Sequence, residues 1–305
     1  MENINSNFNK KVKAACNKKE DLFDSSILKY IFRSALAGIF LTLTTLAGLI
    51  AADHLSGLSP VLAKPAFAGI FAIGLCYVLF LNAELATGNM MFLTAGVYNK
   101  YISLKKAIII LLVCTLGNLI GAYLVSYITS LTSAINAFDA NSFLTSLVSA
   151  KLDKTSLDIL FAGLLANVFV NLAVLSFMLV ENQAFKGFLI MSAVFMFVYI
   201  GLEHVVANFG LFSLVQFSGN MKENFTLANV LRQWIFAFLG NYLGGGICIG
   251  FLYAWLNDTK TKFVDWLNKI NSRRQLILPL LNCKKRVSIF KCKGENYERI
   301  CRFIW

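Results

Sequence analysis

The chain has 305 residues, 57% hydrophobic and only 14% charged, with a mean hydropathy of +0.66. Such a composition, in unbroken apolar runs, excludes a cytosolic enzyme with a large core and points to an all-α membrane protein of several spans. The net charge of +12 is uneven, because 12 of the 28 Lys and Arg lie in residues 257–305, against four acids, Asp258, Asp265, Glu295 and Glu298.

Residues 1–29 are polar and lack the apolar stretch and small-residue cleavage site of a signal peptide, so they read as a retained cytoplasmic tail. A first span follows at Tyr30–Ala51, with His54 in the polar turn after it as a surface residue. Ala66–Leu81 then gives 16 apolar residues, Glu84 and Asn89 interrupt, and Met90–Val97 continues for eight. Ala107–Ile128 and Ile159–Val180 are further uninterrupted spans. Gly187–Leu202 gives 16 apolar residues again, Glu203 and Asn208 interrupt, and Phe209–Phe217 adds nine. Gln233–Leu256 is the last span before the basic tail, residues 257–305. At about 1.5 Å per residue a run of this length reaches only about 24 Å of a hydrocarbon core about 30 Å thick, so both breaks fall inside the membrane.

The halves repeat. Glu84 and Asn89 recur as Glu203 and Asn208, and "LGNLIGA" at Leu116–Ala122 is echoed by "LGNYLGG" at Leu239–Gly245. Within a transport domain of residues 30–256, repeat one covers 30–131 and repeat two 157–256. Each unit has three spans, so the second copy crosses the bilayer in the opposite sense. Inverted repeats with a broken helix in each half mark a transport site near the midplane. Six spans put both termini on one side. That side holds 23 Lys and Arg against five, Lys64, Lys151, Lys154, Lys222 and Arg232, so the bias places both tails in the cytoplasm of a cell-membrane protein. The basic tail reads as an anchor to anionic lipid rather than a nucleic-acid binder.

Inside lipid an unwound backbone must find internal partners. Glu84 with Asn89, and Glu203 with Asn208, bracket the breaks and read as splints: the carboxylate accepts from freed N–H groups, and the amide serves a freed N–H and C=O together. A proton-carrying role for the two glutamates is the alternative. Gly88 loosens the first break. His204 has no counterpart in repeat one, where Leu85 takes its slot; a histidine at membrane depth is a functional candidate, suited to handing a proton to a weak-acid anion. Gly117 with Gly121, and Gly240 with Gly244, form ridges for close helix packing, with Asn118 and Asn241 bonding across helices.

The seven cysteines imply no disulfide framework, and Cys283, Cys292 and Cys301 have no histidine nearby and fit no zinc pattern. No cofactor or metal is expected. An intramembrane enzyme is disfavoured because His204 has no second histidine, cysteine pair or aspartate in the spans to work with.

The stretches "AELATGN", "LGNLIGAYL", "GLEHVVANFGL" and "LGNYLGGG" resemble the formate/nitrite transporter family, from about Tyr30 to Trp255. The resemblance implies an aquaporin-like protomer of six helices, assembled as a homopentamer with one pore per protomer. It would pass small monovalent anions of weak acids, formate foremost and nitrite, lactate or hydrosulfide besides, with proton transfer near the central histidine. Carried over by position, His204 resembles the pore histidine, Thr87 the threonine that bonds toward it, Lys151 a funnel lysine and Asn167 the membrane asparagine. Phe71, Leu75, Leu85 and Phe197 match the apolar constrictions. Ala86 stands where family members often carry phenylalanine, so selectivity is not copied across. His204 is either the proton donor or a group that repels cations and orients the substrate while water supplies the proton. A neutral-solute channel of the aquaporin kind is the alternative function, although the Asn-Pro-Ala signature is missing.

Overall fold

The computed structural model describes residues 4–257, with side chains from residue 7. The basic tail read from residue 257 onward therefore lies outside the described residues except for Asn257, and so do Cys283, Cys292 and Cys301. The described part is helical throughout: α1 Ile4–Ser25, α2 Ile27–Ser56, α3 Pro60–Phe80, α4 Ala86–Tyr98, α5 Leu104–Ser130, α6 Phe143–Asp153, α7 Ser156–Leu179, α8 Gln183–Ile200, α9 Val205–Ser218 and α10 Leu227–Asn241. A π-helical stretch, Tyr242–Phe251, and the short α11, Leu252–Leu256, continue α10 without a turn, and a 3-10 turn, Ser133–Ala137, follows α5. Six helices are long and apolar enough to cross a membrane: α2, α3, α5, α7, α8 and the α10 to α11 run. The protein is a multi-pass membrane protein.

Local sequence explains where most of these helices start. Ser26, Ser103, Ser142, Thr155, Asn182 and Thr226 each accept a backbone N–H of the first turn of the helix that follows, which satisfies a donor the helix itself cannot. Close packing follows the glycine ridges. A methyl group at Gly121 would run into the backbone carbonyl of Ala35 on α2, and one at Gly244 into that of Leu164 on α7.

Residues 4–25 depart from the polar tail read in the sequence. They form α1, which buries Phe8, Val12, Cys16 and Lys19 along one stripe. The spacing of that stripe is helical, and its residues dock on α4 and the end of the last span: Cys16 Sγ approaches Phe92 O at 3.4 Å, and Phe8 packs on Tyr253 with ring centroids 5.7 Å apart. Burial pushes the Cys16 thiol up to about 11, which keeps it an unreactive packing group.

The span interrupted at residue 81 resumes at Ala86, and the one interrupted at residue 201 resumes at Val205. Asn82 (φ 57°) turns the chain in the first break and Gly201 (φ 87°) in the second, both in the left-handed region. Gly88 does not loosen the first break; it lies inside α4 with ordinary helical packing, 3.7 Å from Val174 to where a Cβ would stand.

Candidate functional site

The two breaks meet. Thr87, in the first turn of α4, and His204, the N-cap of α9, are joined by a 2.8 Å hydrogen bond between Oγ1 and Nε2. Two helix N-termini thus face one another, and both side chains are shut away, Thr87 at 0% and His204 at 3% exposure. His204 Nδ1 accepts the N–H of Ala207 at 3.1 Å. A ring nitrogen that accepts carries no hydrogen, so the neutral ring has its proton on Nε2 and donates it to the Thr87 hydroxyl.

The freed backbone of each break is held by one asparagine from a neighbouring helix. Asn118 Oδ1 accepts from Ala86 N (2.9 Å), and its Nδ2 donates to Glu84 O and Ser34 O, both at 2.8 Å. Asn241 does the same in the other half: Oδ1 accepts from Val205 N (2.9 Å) and Nδ2 donates to Glu203 O and Gly163 O, both at 2.8 Å. The splint roles read into Glu84, Asn89, Glu203 and Asn208 are therefore corrected. Their side chains bond each other, Asn89 Nδ2 to Glu84 Oε2 at 3.0 Å and Asn208 Nδ2 to Glu203 Oε2 at 2.8 Å, rather than the broken backbone. A buried carboxylate needs a cation more than an amide N–H, and each glutamate has one. Lys19 of α1 lies 2.6 Å from Glu84, while Lys151 of α6 and Lys154 lie 2.8 and 2.9 Å from Glu203. Gln233 adds a fourth partner to Glu203 at 2.8 Å.

These contacts alter two further expectations. Lys151 is not a free charge in a funnel; it is buried, pulled below the ordinary lysine value by that burial with Glu203 opposing, and joined to the carboxylate. Asn167 does not face a passage. Its Nδ2 donates to Asn241 O (2.7 Å) and Thr87 O (3.2 Å), and Asn171 donates to Thr87 O as well (3.3 Å). Both amides hold Thr87 from behind, and a side chain at Gly245 in the π-helical stretch would displace them.

Two vestibules approach this centre from opposite ends of α3. One, of about 120 Å³, is lined by Lys64, Phe67 and Phe71 from the start of α3, Phe197 at the end of α8, Lys151 and His204. The other, of about 420 Å³, is lined by Val78 and Leu79 from the end of α3, Leu85, Glu84, Lys186 at the start of α8, and Lys11, Lys18 and Lys19 of α1. The helices α3 and α8 thus run antiparallel along the path. Phe71 and Phe197 meet edge to face with centroids 6.3 Å apart, and Phe197 lies 5.9 Å from the His204 ring. Leu75, buried between the vestibules, lines neither. Phe71 and Phe197 form an apolar layer on the α6 side of His204, and Leu85 on the α1 side.

Sequence reasoning missed Lys19, Lys154, Asn171 and Gln233; it expected Asn118 and Asn241 to bond across helices, as they do, but not to hold the broken backbone. The signals were thin. Lys19 sits on the buried stripe of α1, and the asparagines recur in the repeated "LGN" motif, far in sequence from the breaks they serve.

Residues 6–255 match the formate/nitrite transporter family profile. The nitrite transporter NirC of Escherichia coli (strain K12) is 34% identical over 221 residues, which is 72% of this chain and 80% of that protein. Among solved structures, an FNT family ion channel superposes with a TM-score of 0.75 at 29% identity, covering 81% of this chain and 98% of that one. A pentameric formate channel with formate bound shares the fold, with a TM-score of 0.64 at 24% identity, over 75% of this chain and 96% of that one. With nearly its whole described length matched, the chain belongs to the formate/nitrite transporter family.

Proposed function

We infer that the protein carries small monovalent anions of weak acids across the cell membrane, formate foremost, as a homopentamer with one passage per protomer and both termini in the cytoplasm. Nitrite, lactate and hydrosulfide belong to the same class. The nitrite and formate named for its relatives are such anions. One observation carries the reading: the N-termini of α4 and α9 converge on Thr87 and His204 between two vestibules that both bear lysines.

Helix N-termini carry a partial positive charge, which attracts an anion toward the centre. The apolar layers then oppose it, because a bare charge stripped of water costs many kcal/mol. As the surroundings grow less polar the anion's own pKa rises, so it takes a proton and crosses the narrowest part as the neutral acid. His204 serves as a proton donor on this route only after Nδ1 has let go of the Ala207 N–H and taken up a proton, since a neutral imidazole is too weak an acid to give one up. Lys151, Lys154 and Lys19 serve the path by keeping Glu203 and Glu84 from presenting free negative charge to it.

The test is flux into proteoliposomes of the full chain, with formate, nitrite, lactate, hydrosulfide and glycerol offered in turn at several pH values. Formate entry that rises as pH falls supports the reading; glycerol entry without anion entry would establish a neutral-solute channel instead. His204→Asn is expected to slow formate flux by about a hundredfold, in the range of a lost general acid, and to flatten its pH dependence. An unchanged profile removes the donor role.

A further inference from the structure

The vestibule on the α1 side carries more positive charge than a passage for single-charge anions uses. Among the described residues four lysines line it, and Glu84 is the one lining carboxylate. Lys19 is neutralised by that carboxylate at 2.6 Å. The other three have neutral partners: Lys11 donates to the backbone carbonyl of Met178, Lys18 donates to Asn82 Oδ1 at 2.9 Å, and the Lys186 ammonium rests 5.1 Å from the centre of the Phe177 ring. Partial burial, with Arg33 and Lys19 nearby, holds the Lys18 ammonium below the ordinary lysine value against the opposing pull of Glu84. The smaller vestibule differs. Of its two lining lysines, Lys151 is tied to Glu203, which leaves Lys64.

A conducting path must bind its ion weakly enough to release it. Three uncompensated ammonium groups around one cavity exceed what a single charge needs, whereas two or three anionic groups on one small molecule satisfy them together through charge-assisted hydrogen bonds. The roughly 420 Å³ cavity has room for such a molecule. It could not go further, since Leu85 and the Phe71–Phe197 layer would strip water from every charge it carries.

We propose that the α1-side vestibule binds a compact oxyanion of two or more charges, a di- or tricarboxylate or a phosphate compound, on Lys11, Lys18 and Lys186, and that the bound polyanion closes the passage. Closure rests on the transport reading above; binding does not.

Binding is tested by calorimetric titration of the detergent-solubilised full chain with citrate, pyrophosphate and acetate at low ionic strength. At least one of the two polyanions is expected to bind saturably, and acetate at least about tenfold more weakly, given how charge scales the Coulomb attraction. Combined Lys11→Gln, Lys18→Gln and Lys186→Gln substitution should weaken the polyanion by about a hundredfold or more, the loss of several charge-assisted hydrogen bonds, while the three Lys→Arg changes retain it and Lys64→Gln leaves it alone. Equal affinity for acetate, no polyanion binding, or a triple Gln variant that binds as well as the parent overturns the site. Whichever polyanion binds more tightly identifies carboxylate or phosphate as the chemistry.

In proteoliposomes, the binding polyanion added on both sides should stop formate flux in the parent and spare it in the triple Gln variant. Binding with undiminished flux overturns closure. Vesicles that pass no monovalent anion even without polyanion sink the transport reading, and the titration still decides the site.

Discussion

The two breaks solve one problem with parts of different origin. Backbone repair is the same in both: Asn118 and Asn241 each accept from the first N–H of the resumed helix and donate to the carbonyl of the break glutamate. Charge compensation is not. Glu84 has one lysine, Lys19 of α1, beside Asn89, whereas Glu203 has two, Lys151 and Lys154, beside Asn208 and Gln233; all three lysines lie outside the repeats. The helix starts differ too, since Leu85 offers α4 no side-chain cap while His204 caps α9. Duplication therefore preserved the hydrogen bonds that make a broken helix possible in lipid, and the later differences lie in what neutralises and caps each copy.

The comparison can be broken most forcefully at the asparagines. Asn118→Ala and Asn241→Ala each take the amide partner from two break groups, the first N–H of the resumed helix and the carbonyl of the break glutamate, and at about 1 to 3 kcal/mol per unsatisfied group either is expected to cost enough to lose most folded protein. The measurement is the yield of monodisperse protein in detergent and its melting temperature. Similar losses in both halves are expected, and a mild effect at either residue would mean that repair differs after all.

A smaller effect separates the ion pairs. Lys19→Met leaves Glu84 with no cation and should destabilise by about 3 kcal/mol or more, while Lys151→Met leaves Glu203 with Lys154 and should cost about half as much. Thermal melting of the two variants gives the order, and the double change Lys19→Met with Glu84→Gln should recover much of the loss. The reverse order would show that α1 is not the anchor of the first break.

The smallest effect concerns the turns. Gly201→Ala places a Cβ in the left-handed region at about 1 to 2 kcal/mol, whereas Asn82→Gly should be neutral or slightly stabilising at the equivalent corner. Melting temperatures read both, and a Gly201→Ala protein as stable as the parent would remove backbone strain from the account of the second break.

Much of the fold was legible because a membrane span is a composition before it is a shape. The six spans, and both interruptions at Glu84 and Glu203, follow from apolar run lengths alone. Helix α1 was not, since its mean character is polar and its buried stripe ends in Lys19; the stripe becomes visible only once a partner surface for it is known. Likewise α6 is too short and too mixed to register as a span, yet it supplies Lys151. The π-helical stretch at Tyr242–Phe251 has no signal beyond three successive glycines, Gly244 to Gly246. At the site, sequence proximity misled: Glu84 and Asn89 stand beside the break, but the side chain that mends it comes from Asn118 on another helix. Thr87 and His204, 117 positions apart, were linked through the family resemblance rather than through any pattern in the chain.

The bond between His204 and Thr87 decides what an arriving anion touches. Because the imidazole gives its one hydrogen to the threonine oxygen, the hydroxyl hydrogen of Thr87 has no acceptor among the described residues and is free to turn outward. His204 lines the smaller vestibule while Thr87 lines neither, so an anion arriving from that side meets the imidazole before the alcohol, with both ring nitrogens already engaged.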